Sequence, residues 1–533
     1  MPGLVVETRY GRIRGTDEDG LAVFRGVPYA AAPVGHRRFR PPQPPEDWSD
    51  VREANSFGPM CPQPPAAGLE SIPGDPTEQS EDCLTLNIWS PGLDGRRRPV
   101  MVFLHGGGFV SGSSSVAVYH GAALARHGAV VVTLNYRLGV LGWLAHPVFA
   151  APDDGGGFGN WGLRDQIAAL GFVREHAARF GGDPGNVTIF GESAGAMCVA
   201  ALLAAPVARS LFRRAIMQSG AAAAVGAPEA IRVAEALASE LGIDELSREG
   251  LLAQPVEELL AAQQAVGAAQ QASGLPFQPV VDGGVLLRHP AAAIADGSAD
   301  GADLLVGTNR DEWALFTFSA SSVHEIDEAR LLRLVRSTIR AAGLTDTIPA
   351  EEFIDRHRKA RVARGEPVDP PSLYTALGTD WVFRIPAMRL LTAQTSHHGR
   401  AYAYLFDWET PFGGGALGSC HALELPFVFG TADNPFVALF TGSGPDVEAL
   451  SESMRGAWVA FARTGDPSAG ASTVRDWPAY TARERGTMRL GRVVEPLSAP
   501  MEAERAWLDG RLGPYGELET RSLDHVRAPA KGT

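Results

Sequence analysis

The sequence has few cysteines, no excess of positive charge and no long apolar run. Its four cysteines among 533 residues are too few for a disulfide scaffold, and they form no C-x-x-C pair of the kind that binds zinc. The formal net charge of −14 is the wrong sign for a surface that follows nucleic-acid phosphates. No window approaches the roughly eighteen uninterrupted apolar residues of a membrane-spanning helix. We therefore predict no metal site, no nucleic-acid partner and no membrane span.

A targeting segment is also missing from the first residues. Residues 1–8 contain no basic region followed by an apolar one, which a secretory signal needs. The sequence therefore predicts a cytoplasmic protein whose cysteines are free thiols.

What the chain does contain is typical of a globular protein. Hydrophobic residues make up 45% of it and charged residues 20%, and 533 residues are enough to bury a large core. We expect a single domain over residues 1–512, followed by a polar and loose tail over residues 513–533.

Apolar runs of strand length alternate with segments of helical periodicity. Residues 99–104 and 129–136 are typical of strands buried on both faces, and residues 163–180 of a helix that stops at two glycines. This alternation predicts an α/β fold with a central, mostly parallel sheet flanked by helices. Residues 4–40 alternate apolar and polar residues, which predicts an antiparallel start to the sheet. The Ala/Leu/Glu-rich residues 227–271 predict a helical cap insertion.

Ser193 lies between a predicted strand and a predicted helix. A β-branched run over residues 187–190 ends at Gly191, and a small-residue segment with helical spacing begins after Ser193. A serine on such a turn, with Gly191 and Gly195 around it, is typical of a nucleophile. Glycine is needed there because a β-carbon would collide with the neighbouring element. The helix N-terminus that follows favours an oxyanion.

This motif alone does not distinguish a nucleophile from a serine on an ordinary glycine-rich turn, so partners are needed. Acyl transfer by serine requires a base, an acid that orients the base, and donors for the oxyanion. In parallel sheets these groups come from loops at the carboxyl ends of the strands, in the chain order serine, acid, histidine. Ser193, Glu312 and His421 follow that order, and each comes after a predicted strand.

Several motifs resemble those of the type-B carboxylesterase/lipase family, above all its bacterial para-nitrobenzyl-esterase-type members, in the same order and at matching spacing. They are Ser80-Glu-Asp-Cys-Leu-Thr-Leu-Asn, His105-Gly-Gly-Gly-Phe, Asn135-Tyr-Arg-Leu-Gly, Phe180-Gly-Gly-Asp-Pro, Gly191-Glu-Ser-Ala-Gly, Gly307-Thr-Asn-Arg-Asp-Glu and His421-Ala-Leu-Glu-Leu-Pro-Phe. The resemblance implies an α/β-hydrolase fold with Ser193 as nucleophile, His421 as base and then acid, and Glu312 as the carboxylate. It also implies three oxyanion donors, which are the N–H groups of Gly107, Gly108 and Ala194.

The resemblance assigns further roles around these residues. Glu192 and Ser219 are implied to lie behind the catalytic residues. Two structural ion pairs are implied, Arg38–Glu81 and Arg137–Asp165. Cys61 and Cys83 match a disulfide of exported relatives, and the redox compartment decides whether it forms here. Asp311 is the rival for the acid role, but the family pattern places the acid at the second of the two adjacent residues.

The sequence also limits the substrate. The loop between Cys61 and Cys83 has no aromatic residue, whereas cholinesterases carry a tryptophan there that binds a quaternary ammonium. The predicted pocket wall is apolar, which suits uncharged acyl or aryl groups. Its members are Phe109, Leu275, Phe277 and Phe316.

Other reactive side chains have simpler interpretations. His105 is interpreted as a buried support for the glycine loop, because one base suffices. His397 and His398 have no third ligand for a metal and are interpreted as a solvated loop. Cys420 is interpreted as packing, since Ser193 already fills the nucleophile role.

Together these features predict a cofactor-free, monomeric serine carboxylesterase that hydrolyses small uncharged carboxylic esters through an acyl-enzyme. The same residues would serve a carbamate or aryl-amide hydrolase, and the sequence does not separate these alternatives. A non-catalytic interaction module is a further alternative, because the family includes members that have lost a catalytic residue. Activity is expected to fall as the pH drops through roughly 6 to 7, where an ordinary histidine gains a proton.

Overall fold

A thirteen-stranded mixed sheet forms the centre of the described chain. The computed structural model describes residues 4–65, 78–151, 155–270, 275–318, 325–470 and 474–516. The strands, β1 to β15 in chain order, are Leu4–Glu7, Arg12–Glu18, Leu21–Pro28, Arg52–Glu53, Thr85–Ser90, Arg98–Leu104, Val130–Leu134, Gly182–Glu192, Arg214–Gln218, Val225–Gly226, Val280–Val281, Asp303–Asn309, Ala401–Asp407, Gly486–Gly491 and Glu495–Ser498. Strands β10 and β11 form a separate two-stranded sheet.

The middle of the large sheet is parallel and its two ends are antiparallel. Its strand order is β1-β2-β3-β5-β7-β6-β8-β9-β12-β13-β14-β15, and β4 pairs with β2. The neighbours from β7 to β14 in this order are all parallel, whereas β1, β2, β3, β5 and β7 pair antiparallel in succession. This confirms the predicted mostly parallel sheet with an antiparallel start.

Helices cover the sheet and fill the long connections. The α-helices, α1 to α17 in chain order, are Ala122–Arg126, Gly139–Trp143, Trp161–His176, Ala194–Ala204, Ala227–Glu240, Arg248–Leu252, Val256–Gln270, Pro290–Ala295, Ala314–Thr317, Glu328–Ala341, Ala350–Arg364, Pro370–Thr379, Ile385–Gln394, Leu425–Phe429, Pro435–Thr441, Pro445–Thr464 and Glu502–Leu512. A π-helical turn, Asp380–Arg384, joins α12 to α13. Among the described residues, no helix is long and apolar enough to cross a membrane.

The burial of the central strands explains their composition. Strands β6 and β7 are buried at every position, because helices cover both faces of a parallel sheet. Two large apolar clusters pack against the sheet. One contains the apolar residues of α3 and α4, and the other those of α14 and α16. The sheet is therefore a rigid support for the loops at its carboxyl edge.

The connection between β12 and β13 holds a feature that the sequence analysis did not predict. Helices α10 to α12 and the last helix, α17, build a satellite core of their own around Leu331, Phe353 and Leu508. The predicted cap region, residues 227–271, forms the three helices α5 to α7 up to Gln270, and residue 271 lies outside the described chain. Most of the predicted tail, residues 517–533, also lies outside the described residues.

Both implied ion pairs are present, and each is bidentate. Nε and a terminal nitrogen of Arg38 each lie 2.6 Å from a carboxylate oxygen of Glu81. The Arg137–Asp165 pair is fully buried, with N–O distances of 2.8 and 2.7 Å. Removing one partner from such a pair would leave a buried charge without compensation, so this contact holds the loop after β7 against α3.

Candidate active site

The turn at Ser193 joins β8 to α4. Ser193 has a φ of 55° and a ψ of −125°, a strained conformation for a residue with a side chain. A β-carbon at Gly191 would lie 2.5 Å from the carbonyl carbon of Gly195, and one at Gly195 would lie 2.0 Å from the carbonyl oxygen of Leu104. The prediction that glycine is required around Ser193 is therefore confirmed. Ala194 is the first residue of α4, so its N–H has no partner within the helix.

The glycine loop after β6 lies directly against this turn. A β-carbon at Gly106 would lie 3.1 Å from Cβ of Ser193. Gly107 and Gly108 have φ values of 100° and 59°, and a β-carbon at Gly107 would lie 2.1 Å from the carbonyl oxygen of Ser111. Bare backbone therefore passes beside the serine, where donors for an oxyanion would have to be.

His421 and Glu312 form a buried hydrogen-bonded pair. Nδ1 of His421 lies 2.7 Å from Oε2 of Glu312. The Glu312 side chain is fully buried, and 6% of the His421 side chain is exposed. The other carboxylate oxygen of Glu312 accepts a hydrogen bond from the backbone N–H of Asn309 at 2.7 Å. The neighbouring strands β12 and β13 thus bring the predicted acid and the predicted base together.

Glu192 places a second carboxylate at the imidazole. Its Oε1 lies 3.1 Å from Nε2 of His421, and because Glu192 precedes Ser193, this contact brings the imidazole to the serine turn. Burial lowers the pKa of His421, but nearby carboxylates outweigh burial and raise this pKa to about 9. These carboxylates belong to Glu192, Glu312 and Glu424. The imidazole therefore holds a proton more tightly than an ordinary histidine does.

Asp311, the rival for the acid role, is directed elsewhere. Its Oδ2 accepts hydrogen bonds from the N–H of Ser419 and from Nε of Arg310, both at 2.9 Å. Its own N–H donates to the carbonyl of Ser419 at 2.9 Å. Asp311 therefore ties the loop after β12 to the segment that precedes His421.

The sequence analysis missed the polar residues behind this pair. Oε1 of Glu424 accepts a hydrogen bond from Nε2 of Gln218 at 3.0 Å, and Oε2 accepts one from Nδ2 of Asn309 at 2.7 Å. Oε1 of Gln218 accepts in turn from the indole N–H of Trp458 at 3.0 Å. Burial, with the charge of Glu312, raises the pKa of Glu424. Glu424 stands in the motif His421-Ala-Leu-Glu-Leu-Pro-Phe as a charged residue among apolar ones, which was an available signal.

Ser219 lies next to the serine turn, and backbone hydrogen bonds hold both in place. The N–H of Ser193 donates to the carbonyl of Gln218 at 2.9 Å, and the N–H of Ser219 donates to the carbonyl of Gly307 at 2.9 Å. Ser219 is fully buried and has a φ of 51°. Its role in support of the site stays a prediction.

The four residues of the predicted pocket wall differ in exposure. Phe109 is fully buried and packs edge-on against Trp143, and Phe277 is buried in the main core. Their place in the pocket wall stays a prediction. Phe316 and Leu275 are exposed over 49% and 39% of their surfaces. The Phe316 ring lies 5.1 Å from that of His421, and Leu275 lies within 3.8 Å of a β-carbon built at Gly108.

The four cysteines are buried free thiols. A hydrogen bond with Cys61, together with burial, raises the pKa of Cys83 well above its usual value. The disulfide implied by the resemblance is not formed in this structure, although the two side chains are in contact. Burial raises the pKa of Cys420 to about 12, which agrees with a packing role.

The three other histidines that the sequence analysis considered, His105, His397 and His398, make structural contacts. Burial lowers the pKa of His105 to about 4, and its ring stacks on Tyr136 at 4.4 Å. His397 contacts the carbonyl of Ala295, and His398 contacts Asp300. Within the ranges that the structure describes, no group of three or more His, Cys, Asp or Glu side chains could hold a metal ion.

Known structures show which class of protein this architecture defines. A carboxylesterase of Geobacillus stearothermophilus, solved as a crystal structure, matches with a TM-score of 0.81 and 42% identity, over 94% of this chain and 99% of that one. The sheet order, the strained serine turn and this match define an α/β-hydrolase, and within that fold a carboxylic ester hydrolase.

Sequence comparisons specify the family. The Carboxylesterase family profile matches residues 2–506. Para-nitrobenzyl esterase of Bacillus subtilis is 40% identical over 514 residues, which cover 95% of this chain and 98% of the relative. Phenmedipham hydrolase of Pseudarthrobacter oxydans is 37% identical, over 91% of this chain and 95% of the relative. The chain therefore belongs to the Carboxylesterase family, which confirms the resemblance predicted from its motifs.

Proposed function

We propose that this carboxylic ester hydrolase is a serine carboxylesterase in which Ser193 is the nucleophile, His421 the base and Glu312 the acid. The observation that carries the proposal is the buried hydrogen bond of 2.7 Å between Nδ1 of His421 and Oε2 of Glu312. This contact fixes the Nδ1–H tautomer, so that Nε2, which also lies 3.1 Å from Oε1 of Glu192, is the nitrogen that accepts the proton from the serine hydroxyl.

The proposed reaction has two halves. Ser193 Oγ attacks the ester carbonyl carbon while His421 takes the hydroxyl proton, and the tetrahedral oxyanion is held by the N–H groups of Gly107, Gly108 and Ala194. The carbon–oxygen bond to the alcohol then breaks, and His421 returns the proton to the leaving alkoxide. In the second half His421 takes a proton from water as its oxygen attacks the acyl carbon. The bond from that carbon to Ser193 Oγ then breaks, His421 returns the proton to Oγ, and the carboxylic acid leaves.

The proposed substrates are small and uncharged carboxylic esters. Support comes from the exposed apolar side chains of Leu275 and Phe316 near the glycine loop and the imidazole. The names of the two relatives, para-nitrobenzyl esterase and phenmedipham hydrolase, agree with a small-molecule substrate. Hydrolysis of a carbamate or an aryl amide by the same residues is the alternative. Cytoplasmic location and a monomeric state stay predictions from the sequence.

A substrate panel tests this proposal. We expect turnover of nitrophenyl and naphthyl esters of graded acyl length, with a higher kcat/KM than for a matched nitrophenyl carbamate or nitroanilide. The ester carbonyl is less stabilised than that of the carbamate, and the ester has a better leaving group than the anilide. Initial rates by absorbance measure this order. A higher kcat/KM for the carbamate or the anilide would favour the alternative, and hydrolysis of none of them by folded protein would favour a non-catalytic interaction module.

The raised pKa of His421 changes the expected pH dependence. The neutral imidazole is the active form, so kcat/KM should fall as the pH is lowered through the pKa of the free enzyme. With that pKa near 9 rather than 6.5, the fall is expected to begin near pH 9, not between pH 6 and 7 as the sequence alone predicted.

Replacing Glu192 tests the cause of this shift. Glu192→Gln removes one carboxylate charge beside Nε2, so the apparent pKa of kcat/KM is expected to fall by about one unit or more. The control is Glu46→Gln, which removes the same charge from a side chain that is 85% exposed and is expected to leave the profile unchanged. Identical profiles for wild type and Glu192→Gln would contradict the assigned cause.

A further inference from the structure

Asn309 is the last residue of β12 and contacts Glu312 and two residues that flank His421 in the chain. Its backbone N–H donates to Oε1 of Glu312 at 2.7 Å. Its side-chain nitrogen, Nδ2, donates to the carbonyl of Cys420 and to Oε2 of Glu424, both at 2.7 Å. The residue is fully buried.

The two side-chain contacts of Asn309 lie on either side of His421 in the sequence. The carbonyl of Cys420 belongs to the peptide bond that leads into His421, and Glu424 follows His421 by three residues. One amide group therefore holds the backbone before the imidazole and a side chain after it. Because both acceptors face the same nitrogen, the orientation of the Asn309 amide is determined by its partners.

We propose that Asn309 is a positioning residue that sets the distance and angle between the Glu312 carboxylate and the His421 imidazole. The inference rests on the proposed function of those two residues. Asn309 touches neither the substrate nor the imidazole, so it acts through the two segments it joins.

The contact is anchored in the core of the protein. The indole N–H of Trp458 can only donate, so Oε1 of Gln218 is its acceptor and the Gln218 amide nitrogen must face Glu424. The Glu424 carboxylate then receives one donor on each oxygen, from Gln218 and from Asn309. A buried carboxylate with two donors of fixed direction is a rigid end point for the segment after His421.

A second link between the same segments provides a comparison. Asp311 and Ser419 exchange two hydrogen bonds of 2.9 Å, which also join the loop after β12 to the segment before His421. That link ends two residues before His421 and does not involve Glu424. If positioning depends on contacts that surround the imidazole, loss of the Asn309 side chain should matter more than a change at Asp311.

The test uses the full chain and two replacements. Asn309→Ala removes the amide, and Asn309→Asp keeps its size but removes both donated hydrogens. We expect kcat on a nitrophenyl ester to fall about 10- to 100-fold in both, with little change in KM, because a small displacement of base from acid affects the chemical step more than binding. In Asn309→Ala the apparent pKa of kcat/KM should also fall toward the ordinary histidine value, because the looser pair stabilises the imidazolium less.

Turnover is expressed per active site, titrated to completion with an organophosphate, so that partial unfolding is not counted as lost turnover. Asp311→Asn is the matched control and is expected to keep kcat and the pH profile, because an amide oxygen can still accept from Ser419. Wild-type kcat and an unchanged profile in the Asn309 variants would overturn the inference. So would the absence of titratable sites in both, since Asn309 would then be a folding residue. An inactive wild type would instead overturn the proposed function.

Discussion

Ser193→Ala is expected to lower kcat on nitrophenyl esters by about 10⁶-fold. The replacement removes the oxygen that would carry the acyl group, while the strand, the helix and the glycine loop around it remain. What rate is left would come from substrate binding and from the amide donors, which act without the serine. Stopped-flow detection of nitrophenol should show a burst of one equivalent per site in the wild type and none in the variant.

Intact mass gives the same prediction a second measurement. An organophosphate is expected to add once to the wild type and not at all to Ser193→Ala. The control is Ser453→Ala, which removes a hydroxyl that donates to the carbonyl of Ala449 on an exposed helix face, and which is expected to keep the adduct. An adduct on Ser193→Ala, or full turnover by it, would mean that another residue carries the acyl group.

Glu312→Gln is expected to lower kcat by about 10³- to 10⁴-fold. The reason lies in the two hydrogen bonds that the carboxylate accepts. Oε1 receives the N–H of Asn309 and Oε2 faces Nδ1 of His421, both at 2.7 Å. A glutamine has only one acceptor oxygen for these two positions. If that oxygen stays with Asn309, the amide hydrogens face Nδ1, and the imidazole proton must move to Nε2, where it blocks proton transfer from Ser193.

The neighbouring residue provides the control for this prediction. Asp311→Asn keeps an oxygen that can accept from the N–H of Ser419, so kcat/KM is expected to stay within about threefold of the wild type, less than 1 kcal/mol in the barrier. Steady-state kinetics at pH 9 compare the two variants. If Asp311→Asn lost the larger share of activity, the acid would be Asp311 and the assignment of Glu312 would fail.

Prediction of the site from sequence succeeded where local geometry forces the residue type. The glycines around Ser193 were predicted from the collision that a β-carbon would cause. The structure confirms this, because a β-carbon at Gly191 or Gly195 would lie only 2.5 or 2.0 Å from a backbone atom. The pairing of Glu312 with His421 was expected from chain order and the strand before each, and the choice of Glu312 over Asp311 came from the family resemblance. The first deduction needs only the space around the backbone, whereas the second needed the resemblance.

Features that depend on distant parts of the chain were beyond the sequence. The burial of Phe109 and Phe277 and the 5.1 Å distance between the rings of Phe316 and His421 depend on packing between separate segments. Helices α10 to α12 were missed because they do not pack into the main core. Their apolar residues cover one another and α17, which lies more than a hundred residues further along the chain.

The sequence by itself determined the alternation of strands and helices, the strained serine turn, the order of the three candidate catalytic residues and the family. These depend on local periodicity and on glycine, whose effects act over a few residues. Only the tertiary structure decided that Asn309 contacts Cys420 and Glu424, which lie before and after His421 in the chain. It also decided that Glu192 contacts Nε2 of His421 and that the pKa of this imidazole rises to about 9. Charges and hydrogen bonds act through space, and the groups concerned come from β8, from β12 and from the segment after β13, so their sum exists only once the sheet has brought these three parts together.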